Sequence, residues 1–467
     1  MLSRRDALLL TVLFIASLPA VTARLYSSDE VQYYSYLRSL WFDHDVSFEN
    51  EYQYFYDHQI AQSADFHRTF LELDTPAHRR INYGTLGCAI LWSPFYAVAD
   101  GIVRVSRMTG AQIEADGYSR PYVSAVAYGS AFYGFATIVL AIVAARQLVG
   151  QAALSSGIAI WIGTPLLFYM YVAPPFSHAC SAFGAAVFVT IWLRVRGTWS
   201  PAGAAALGLA AALMTMVREQ DILFTLGPAL DFGVTVVSQP RSRRLLVAAL
   251  AGCVAYALGY LPQLIAYQAL NGHPGPSQLV MRKMYWSAPH ALQVLGSPEH
   301  GFFFWTPLAV LAIAGLVWLT ARPESATGES PSRPADQMRR IGVCMLVMVA
   351  AQVYVSGAVE SWTVAGAFGQ RRFVALSMFL VIGLAALRAS IRGRGPRLAL
   401  NTAIVVCVWW NLALIAEFGT SMMDRQRLHL RQNAYDAFVT LPRMAPDLIY
   451  RYFSQRSSFY KPPEPAR

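Results

Sequence analysis

Charge is scarce in this sequence: only 14% of its 467 residues are Asp, Glu, Lys or Arg, while 55% are hydrophobic. A soluble globular domain of this size carries far more charge on its surface, so the composition excludes that class. The five cysteines are scattered singly, with no pair at metal-ligand spacing. Phosphate-loop, dinucleotide-binding and zinc fingerprints are missing as well. The sequence therefore predicts a polytopic membrane protein, and it offers no motif of a soluble enzyme.

Basic residues give the predicted topology. The formal net charge of +10 does not indicate nucleic-acid binding, because the arginines fall in short clusters between apolar runs. Apolar runs long enough to span a bilayer lie near residues 6–24, 121–145, 152–172, 178–194, 201–217, 222–238, 245–270, 302–321, 341–357, 373–389 and 398–417. A shorter run at 86–98 contains Pro94. If it crossed the membrane, the later basic clusters would all move to the external side, which the positive-inside rule disfavours.

We therefore predict an all-α bundle of about eleven transmembrane helices in the cell membrane. The N-terminus would be cytoplasmic, and residues 24–120 would form one long external loop in which 86–98 lies in the interface or re-enters. The transmembrane domain would cover residues 1–421. Residues 422–467 would be a short polar tail on the external side.

An acidic pair, Asp29 and Glu30, directly follows the first apolar run. Carboxylates are costly near hydrocarbon, so the pair is either a solvated helix end or part of a site. Crowding by aromatic residues favours a site, in which a carboxylate could take a proton from an incoming hydroxyl. Further acids follow in the same loop, at Asp43, Asp45, Glu49 and Glu51, and these are better explained as loop structure or acceptor contacts.

Two arginines, Arg371 and Arg372, fall on the predicted external side against the topology rule. The guanidinium group suits phosphate oxygens, and Gly366 and Gly369 just before the pair let the backbone approach a ligand. The alternative is an interfacial pair at a helix start that extends its side chains toward water. Weaker candidates for the same external cavity are His178, Arg218, Glu219, His300 and Glu360. Each could instead have a purely structural role, as a hydrogen-bonded interfacial residue or as part of a turn closed by ion pairs.

These features resemble the GT-C glycosyltransferases, which include protein O-mannosyltransferases, bacterial aminoarabinose transferases and mycobacterial arabinosyltransferases. The resemblance rests on the acidic pair, the long first external loop and the short basic inner loops, and residues 82–95 resemble the juxtamembrane helix of that superfamily. It covers most of the membrane portion with short, loose motifs. The His-Pro-Pro or Lys-Pro-Pro signature of the first loop is absent, as is the large soluble C-terminal domain of some relatives.

The resemblance implies a glycosyltransferase that uses a polyprenyl-phosphate sugar as donor and acts at the external face. Asp29 would be the general base, with Glu30 as support, and inversion at the anomeric carbon would follow. The donor phosphate would lie near Arg371 and Arg372. Because the first-loop signature is missing, Arg79 or Arg80 would replace its phosphate contact. The acceptor would be a protein, lipid or polysaccharide hydroxyl, and a divalent metal ion is conceivable although no ligand pattern requires one.

Two other functions compete with this one. A transporter or flippase of a lipid-linked or small polar substrate would need ionisable residues near the middle of its spans and two matching halves, and neither feature stands out. A polysaccharide ligase or polymerase would share the external site but would use diphosphate-linked glycans. The concentration of polar residues on one predicted face favours an interfacial enzyme.

Overall fold

The computed structural model describes residues 2–150, 152–322, 334–364 and 366–459. In its N-terminal half the helices are α1 (Arg4–Ser17), α2 (Ser28–Arg38), α3 (Glu49–Asp57), α4 (Ala64–Phe66), α5 (Gly87–Met108), α6 (Arg120–Val149), α7 (Ala153–Ile162), α8 (Leu166–Tyr171), α9 (His178–Val195), α10 (Pro201–Val217) and α11 (Leu226–Ser238). Then come α12 (Arg243–Asn271), α13 (Gln278–Arg282), α14 (Ala291–Gly296), α15 (Phe302–Trp305), α16 (Leu308–Ala321), α17 (Ala335–Ala358), α18 (Ser377–Ser390), α19 (Arg394–Gly419), α20 (Leu430–Tyr435) and α21 (Leu441–Ser454).

Short 3₁₀ and π segments lie between or beside these helices. They are the 3₁₀ turns Leu18–Ala20, Glu219–Thr225, Arg371–Leu376 and Arg456–Phe459, and the π turns Ser39–Asp43, His67–Glu72 and Asp436–Thr440. The described residues form no strand, only two isolated bridges. The predicted all-α class is therefore confirmed.

Eight helical segments of the described chain are long and apolar enough to cross a membrane. They are Gly87–Met108, Arg120–Val149, His178–Val195, Glu219–Ser238, Arg243–Asn271, Ala335–Ala358, Arg371–Ser390 and Arg394–Gly419. Shorter apolar helices are Ala153–Ile162, Pro201–Val217 and Leu308–Ala321. The chain is thus a multi-pass membrane protein, while the count of eleven spans stays a prediction.

Helix α5 extends beyond the apolar run expected at 86–98. Pro94 lies inside this 22-residue helix and does not end it. It is also one of the segments that are long and apolar enough to cross a membrane, so the interfacial or re-entrant position stays a prediction. The Tyr133 hydroxyl donates to the Leu91 carbonyl and the Tyr122 hydroxyl donates to Asp100, so α5 runs antiparallel to the first half of α6. The last third of α6 instead meets α1, through an Asp6–Arg146 ion pair of 2.7 Å. Helices α1 and α5 therefore flank different parts of α6.

Glycines allow two pairs of long helices to touch through their backbones. A Cβ atom on Gly208 of α10 would overlap the carbonyl oxygen of Gly252 on α12, and one on Gly315 of α16 would overlap that of Gly383 on α18. Helix pairs in membranes associate mainly by close packing, so small residues at these crossings set the helix distances.

A buried ion cluster ties three further helices together. Asp231 on α11 is fully buried; its carboxylate accepts hydrogen bonds from Arg196 of α9 at 2.9 and 3.1 Å and from Trp192, and it also contacts Arg340 of α17. Arg196 and Arg340 belong to the clusters taken from the sequence as topology signals. The structure shows that they also form these ion pairs, because charges that leave water need partners.

We expect Gly315→Ala to lower the thermal unfolding midpoint of the detergent-solubilised protein by several degrees, since α16 and α18 must move apart. Gly101→Ala on α5 is the matched control, because a Cβ there meets nothing within 4 Å. That change should leave stability unchanged or raise it by up to about 1 kcal/mol through the helix propensity of alanine. Equal midpoints for the two variants would contradict the close crossing.

Candidate functional site

Local capping fixes the start of α2, and with it the position of Asp29. The Ser27 side chain accepts a hydrogen bond from the Glu30 amide, and the Glu30 carboxylate accepts from the Tyr26 and Ser27 amides at 2.9 and 3.0 Å. This reciprocal capping box follows from the sequence Ser-Ser-Asp-Glu. Asp29, in the first turn, is not consumed by the cap and is available to the site.

The segment before Arg371 is shaped by left-handed glycines and by His300. Gly366 and Gly369 have φ angles of +73° and +60°, a conformation that side chains with a Cβ rarely adopt. The His300 ring nitrogen Nε2 lies 2.8 Å from the Ala367 carbonyl, and Gln370 donates to the His300 carbonyl. Burial lowers the pKa of His300 to about 4, so the neutral ring donates one hydrogen bond here. His300 therefore positions this segment.

These two elements meet in an ion pair between Asp29 Oδ2 and Arg371 Nη1 at 2.5 Å. The Arg371 guanidinium also lies over the Phe176 ring, 5.6 Å from its centroid. The Asp29 side chain keeps 38% of its surface exposed and Arg371 keeps 19%, so the pair is reachable from a cavity of about 240 Å³. The structure thus brings together the two residues that the sequence singled out most strongly, which are 342 positions apart.

A second cavity, of about 480 Å³, adjoins Arg372 and carries most of the positive charge of the site. Arg218, Lys283 and Arg372 line it, and so does Tyr33, one turn after Asp29 on α2. Among its described lining residues the one acid is Glu219, which accepts a hydrogen bond from the Tyr267 hydroxyl. Burial raises the pKa of the Tyr33 hydroxyl to about 12, so that group remains a hydrogen-bond donor at neutral pH. This cation-rich cavity can hold an anionic group.

The weaker candidates have the following places. His178 is buried and its Nδ1 lies 2.6 Å from the Arg218 guanidinium, so it orients that arginine. Arg372 donates to the carbonyl and hydroxyl oxygens of Ser361, which hold its side chain at the second cavity. Glu360 is exposed and does not line either cavity within the described residues; its amide donates to the Lys283 carbonyl.

Arg80 is engaged by two carboxylates of the first loop, and its role as a phosphate contact stays a prediction. A tight turn over 75–79 brings Arg80 opposite Asp74, and its guanidinium pairs with Glu49 at 2.8 Å and Asp74 at 3.2 Å. Two carboxylates on the loop surface thus compete with any phosphate for this side chain. Arg79 does not line either cavity among the described residues.

The expected supporting role of Glu30 is refined by its surroundings. Its side chain is fully buried, and burial raises its pKa from 4.5 to about 8 although two backbone amides donate to it. Glu30 therefore supports Asp29 by capping α2. Glu51 is a loop acid with a structural role as well, since it pairs with Arg38 at 2.9 Å. Asp43 contacts the same arginine.

Within the described ranges, no three His, Cys, Asp or Glu side chains lie together in a way that could hold an ion. The divalent metal ion considered from the sequence is therefore neither placed nor tested.

Sequence reasoning missed Lys283 and Arg425. Lys283 is one of only two lysines in the sequence, and this rarity was a usable signal. Its ammonium lies 5.9 Å from the centroid of the Tyr83 ring, at the wall of the cation-rich cavity. Arg425 lines the Asp29 cavity from the C-terminal tail, whose polar composition gave no hint of this place.

No family model matches the chain, and no curated protein matches it in sequence. Among solved structures it is similar to ArnT from Cupriavidus metallidurans, in a crystal structure bound to undecaprenyl phosphate. The identity is 14% and the TM-score 0.49, and the match covers 97% of this chain and 77% of that one. At this identity and TM-score, the similarity assigns no role to any residue here.

The buried Glu30 should make stability depend on pH. Its pKa is raised on folding, so the unfolded chain ionises first as the pH rises above 4.5 and stability falls until about pH 8. Glu30→Gln keeps an oxygen for the cap and cannot ionise. We expect its unfolding midpoint to exceed that of the wild type by a margin that grows from pH 4.5 to 8.

The matched control is Glu30→Ala, which removes both the charge and the capping oxygen. It should be less stable than Glu30→Gln at every pH, by about 1 kcal/mol. Thermal unfolding in detergent between pH 4.5 and 8.5 measures both effects. A constant difference between Glu30→Gln and the wild type across this range would contradict the burial of a titrating carboxyl.

Proposed function

We propose that this protein is a membrane glycosyltransferase that transfers a sugar from a polyprenyl-phosphate donor to an acceptor hydroxyl at the external face. The observation that carries the proposal is that an accessible carboxylate, Asp29, pairs with Arg371, whose neighbour Arg372 lines a cavity together with Arg218 and Lys283. The carboxylate suits proton removal from an acceptor, and the cations suit a phosphate leaving group. The resemblance of the acidic pair and first loop to GT-C enzymes supports the same chemistry.

The donor phosphate would lie in the cation-rich cavity, on Arg218, Lys283 and Arg372. The sequence suggested Arg371 for this contact, but its guanidinium is partly engaged by Asp29. Arg371 therefore serves first to orient the base. The hydrophobic side chains of Val280, Met281 and Trp286 line the same cavity and would pack against the first isoprene units of the donor.

The reaction then proceeds in one displacement. Asp29 accepts the proton of the acceptor hydroxyl as its oxygen attacks the anomeric carbon from the side opposite the phosphate. The bond between the anomeric carbon and the phosphate oxygen breaks, and the lipid phosphate leaves with the electron pair. Arg218, Lys283 and Arg372 stabilise the charge that develops on it. One inversion at the anomeric carbon results, and the leaving phosphate needs no general acid.

We expect Asp29→Asn to lower kcat for sugar transfer by at least about 100-fold, because the amide cannot take the acceptor proton. The assay uses membranes supplied with a lipid-linked sugar and follows its transfer to endogenous acceptors. Glu30→Gln is the neighbouring control and should retain transfer, since it preserves the cap. Full activity in the Asp29→Asn variant would remove Asp29 as the base.

Lys283→Ala should raise the KM for the donor by about tenfold, because one of three phosphate contacts is lost. Arg282→Ala is the matched control: that residue is adjacent and exposed but does not line the cavity.

A second measurement of KM and kcat compares donors that carry one phosphate with donors that carry a diphosphate. A preference for the diphosphate in the wild type would favour a polysaccharide ligase or polymerase instead.

A further inference from the structure

A groove with mainly apolar walls adjoins the Asp29 cavity. Its volume is about 580 Å³, within the range of small-molecule binding sites. Phe168 and Val172 at the end of α8, the end of α19 and the C-terminal helix α21 form much of its wall, and residues of the first loop, such as Tyr26 and Ile60, complete it.

The groove and the Asp29 cavity share four lining residues, Tyr26, Phe168, Phe418 and Arg425. At this junction the Arg425 guanidinium lies over the Phe418 ring, 4.6 Å from its centroid, and donates to the Phe418 carbonyl. The groove, which Arg24 also lines, thus leads past the Arg425 guanidinium to the cavity of the proposed base. The groove wall, the Arg425 guanidinium and the Asp29 carboxylate follow one another in this order. They would suit, in turn, the hydrocarbon chain, an anionic group and a hydroxyl of an amphiphile.

The C-terminal segment, residues 430–459, is anchored at both ends. Near its start, Asn433 donates to the buried Glu417 of α19 at 2.6 Å. At its end, Tyr452 donates to the Ala20 carbonyl, and Arg456 donates to the Val21 carbonyl at 2.6 Å. This segment therefore forms a fixed wall that joins the ends of α19 and α1.

Helix α21 also presents apolar side chains outward. Leu448 is buried against the groove, whereas Ile449, Tyr450 and Phe453 are 58–63% exposed. Adjacent large apolar side chains are unfavourable in water and are typical of a helix that lies in the plane of a membrane interface. Ile449 and Phe453 also line the groove, so apolar side chains continue from its wall onto the outer surface of the protein.

We propose that the acceptor is a membrane lipid, whose hydrocarbon chain occupies the groove under α21 and whose headgroup presents a hydroxyl to Asp29. This inference rests on the proposed function and names its acceptor class. An anionic group of the headgroup binds Arg425. The donor chain lies instead beside Val280 and Trp286, because the three cations that suit its phosphate line that cavity. The two lipids thus occupy separate cavities, whose described lining residues do not overlap.

Photo-crosslinking separates the two sites. The protein is placed in nanodiscs with one of two diazirine-labelled probes, phosphatidylglycerol, which is anionic and carries headgroup hydroxyls, or undecaprenyl phosphate. Phosphatidylglycerol should label peptides that contain residues 448–453, and undecaprenyl phosphate should label residues 280–286. Undecaprenyl phosphate at 448–453, or phosphatidylglycerol confined to 280–286, would overturn the acceptor assignment.

Matched variants test the same assignment of the two lipids to the two cavities. The test does not depend on the correct folding of any single variant. Ala416→Trp fills the groove under α21, and Val280→Trp fills the cation-rich cavity. We expect Ala416→Trp to reduce phosphatidylglycerol labelling at least tenfold and to leave undecaprenyl phosphate labelling within twofold, with the reverse for Val280→Trp. Ile449→Glu, at an exposed position of the groove wall, should reproduce the effect of Ala416→Trp through charge repulsion.

The failures can be told apart. If neither cavity is labelled by undecaprenyl phosphate while phosphatidylglycerol labels 448–453, the lipid groove stands and the proposed donor fails. If undecaprenyl phosphate labels 280–286 and phosphatidylglycerol labelling is unchanged in Ala416→Trp and Ile449→Glu, the donor site stands and the lipid acceptor is overturned.

Discussion

The ion pair between Asp29 and Arg371 is the contact on which the arrangement of the site depends. It links the first helix after α1 to the segment that leads into α18. Both residues line the Asp29 cavity, while Tyr33 on the same helix as Asp29 and Arg372 next to Arg371 line the cation-rich cavity. The pair is partly exposed, so its contribution to stability is small, about 1 kcal/mol or less. Its main effect is geometric, because the guanidinium holds the carboxylate in one orientation at the cavity.

Charge is distributed unequally around this pair. Arg218, Lys283 and Arg372 line one cavity, which suits a phosphate, whereas Arg425 lies where the Asp29 cavity meets a groove with mainly apolar walls. An enzyme that joins two amphiphiles needs separate routes for their hydrocarbon chains, because two chains cannot enter one narrow groove together. The proposed lipid acceptor follows from this division. Neighbouring groups such as His178 and His300 contribute by holding arginines and backbone in place.

Several features were predictable because they depend on local sequence. Composition gives the membrane class, and the Ser-Ser-Asp-Glu capping box follows from four adjacent residues. Asp29 and Arg371 were selected as site candidates because Asp29 directly follows an apolar run and Arg371 falls on the predicted external side. The ion pairs of Arg80 were not predictable, because a turn of five residues decides which carboxylates it meets. Lys283 and Arg425 were missed because their places in the cavity walls depend on neighbours far away in the chain.

By itself, the sequence determined the helical membrane class and the main polar positions. The free energies of burying apolar side chains and of placing charges near hydrocarbon depend only on residue type and order. Tertiary structure alone decided that residues 29 and 371 touch, that the basic residues divide between two cavities, and that the C-terminal helix walls a groove. Such contacts depend on how helices cross. Backbone contacts such as Gly315 with Gly383 set those crossings, and a single sequence does not show which glycines face each other.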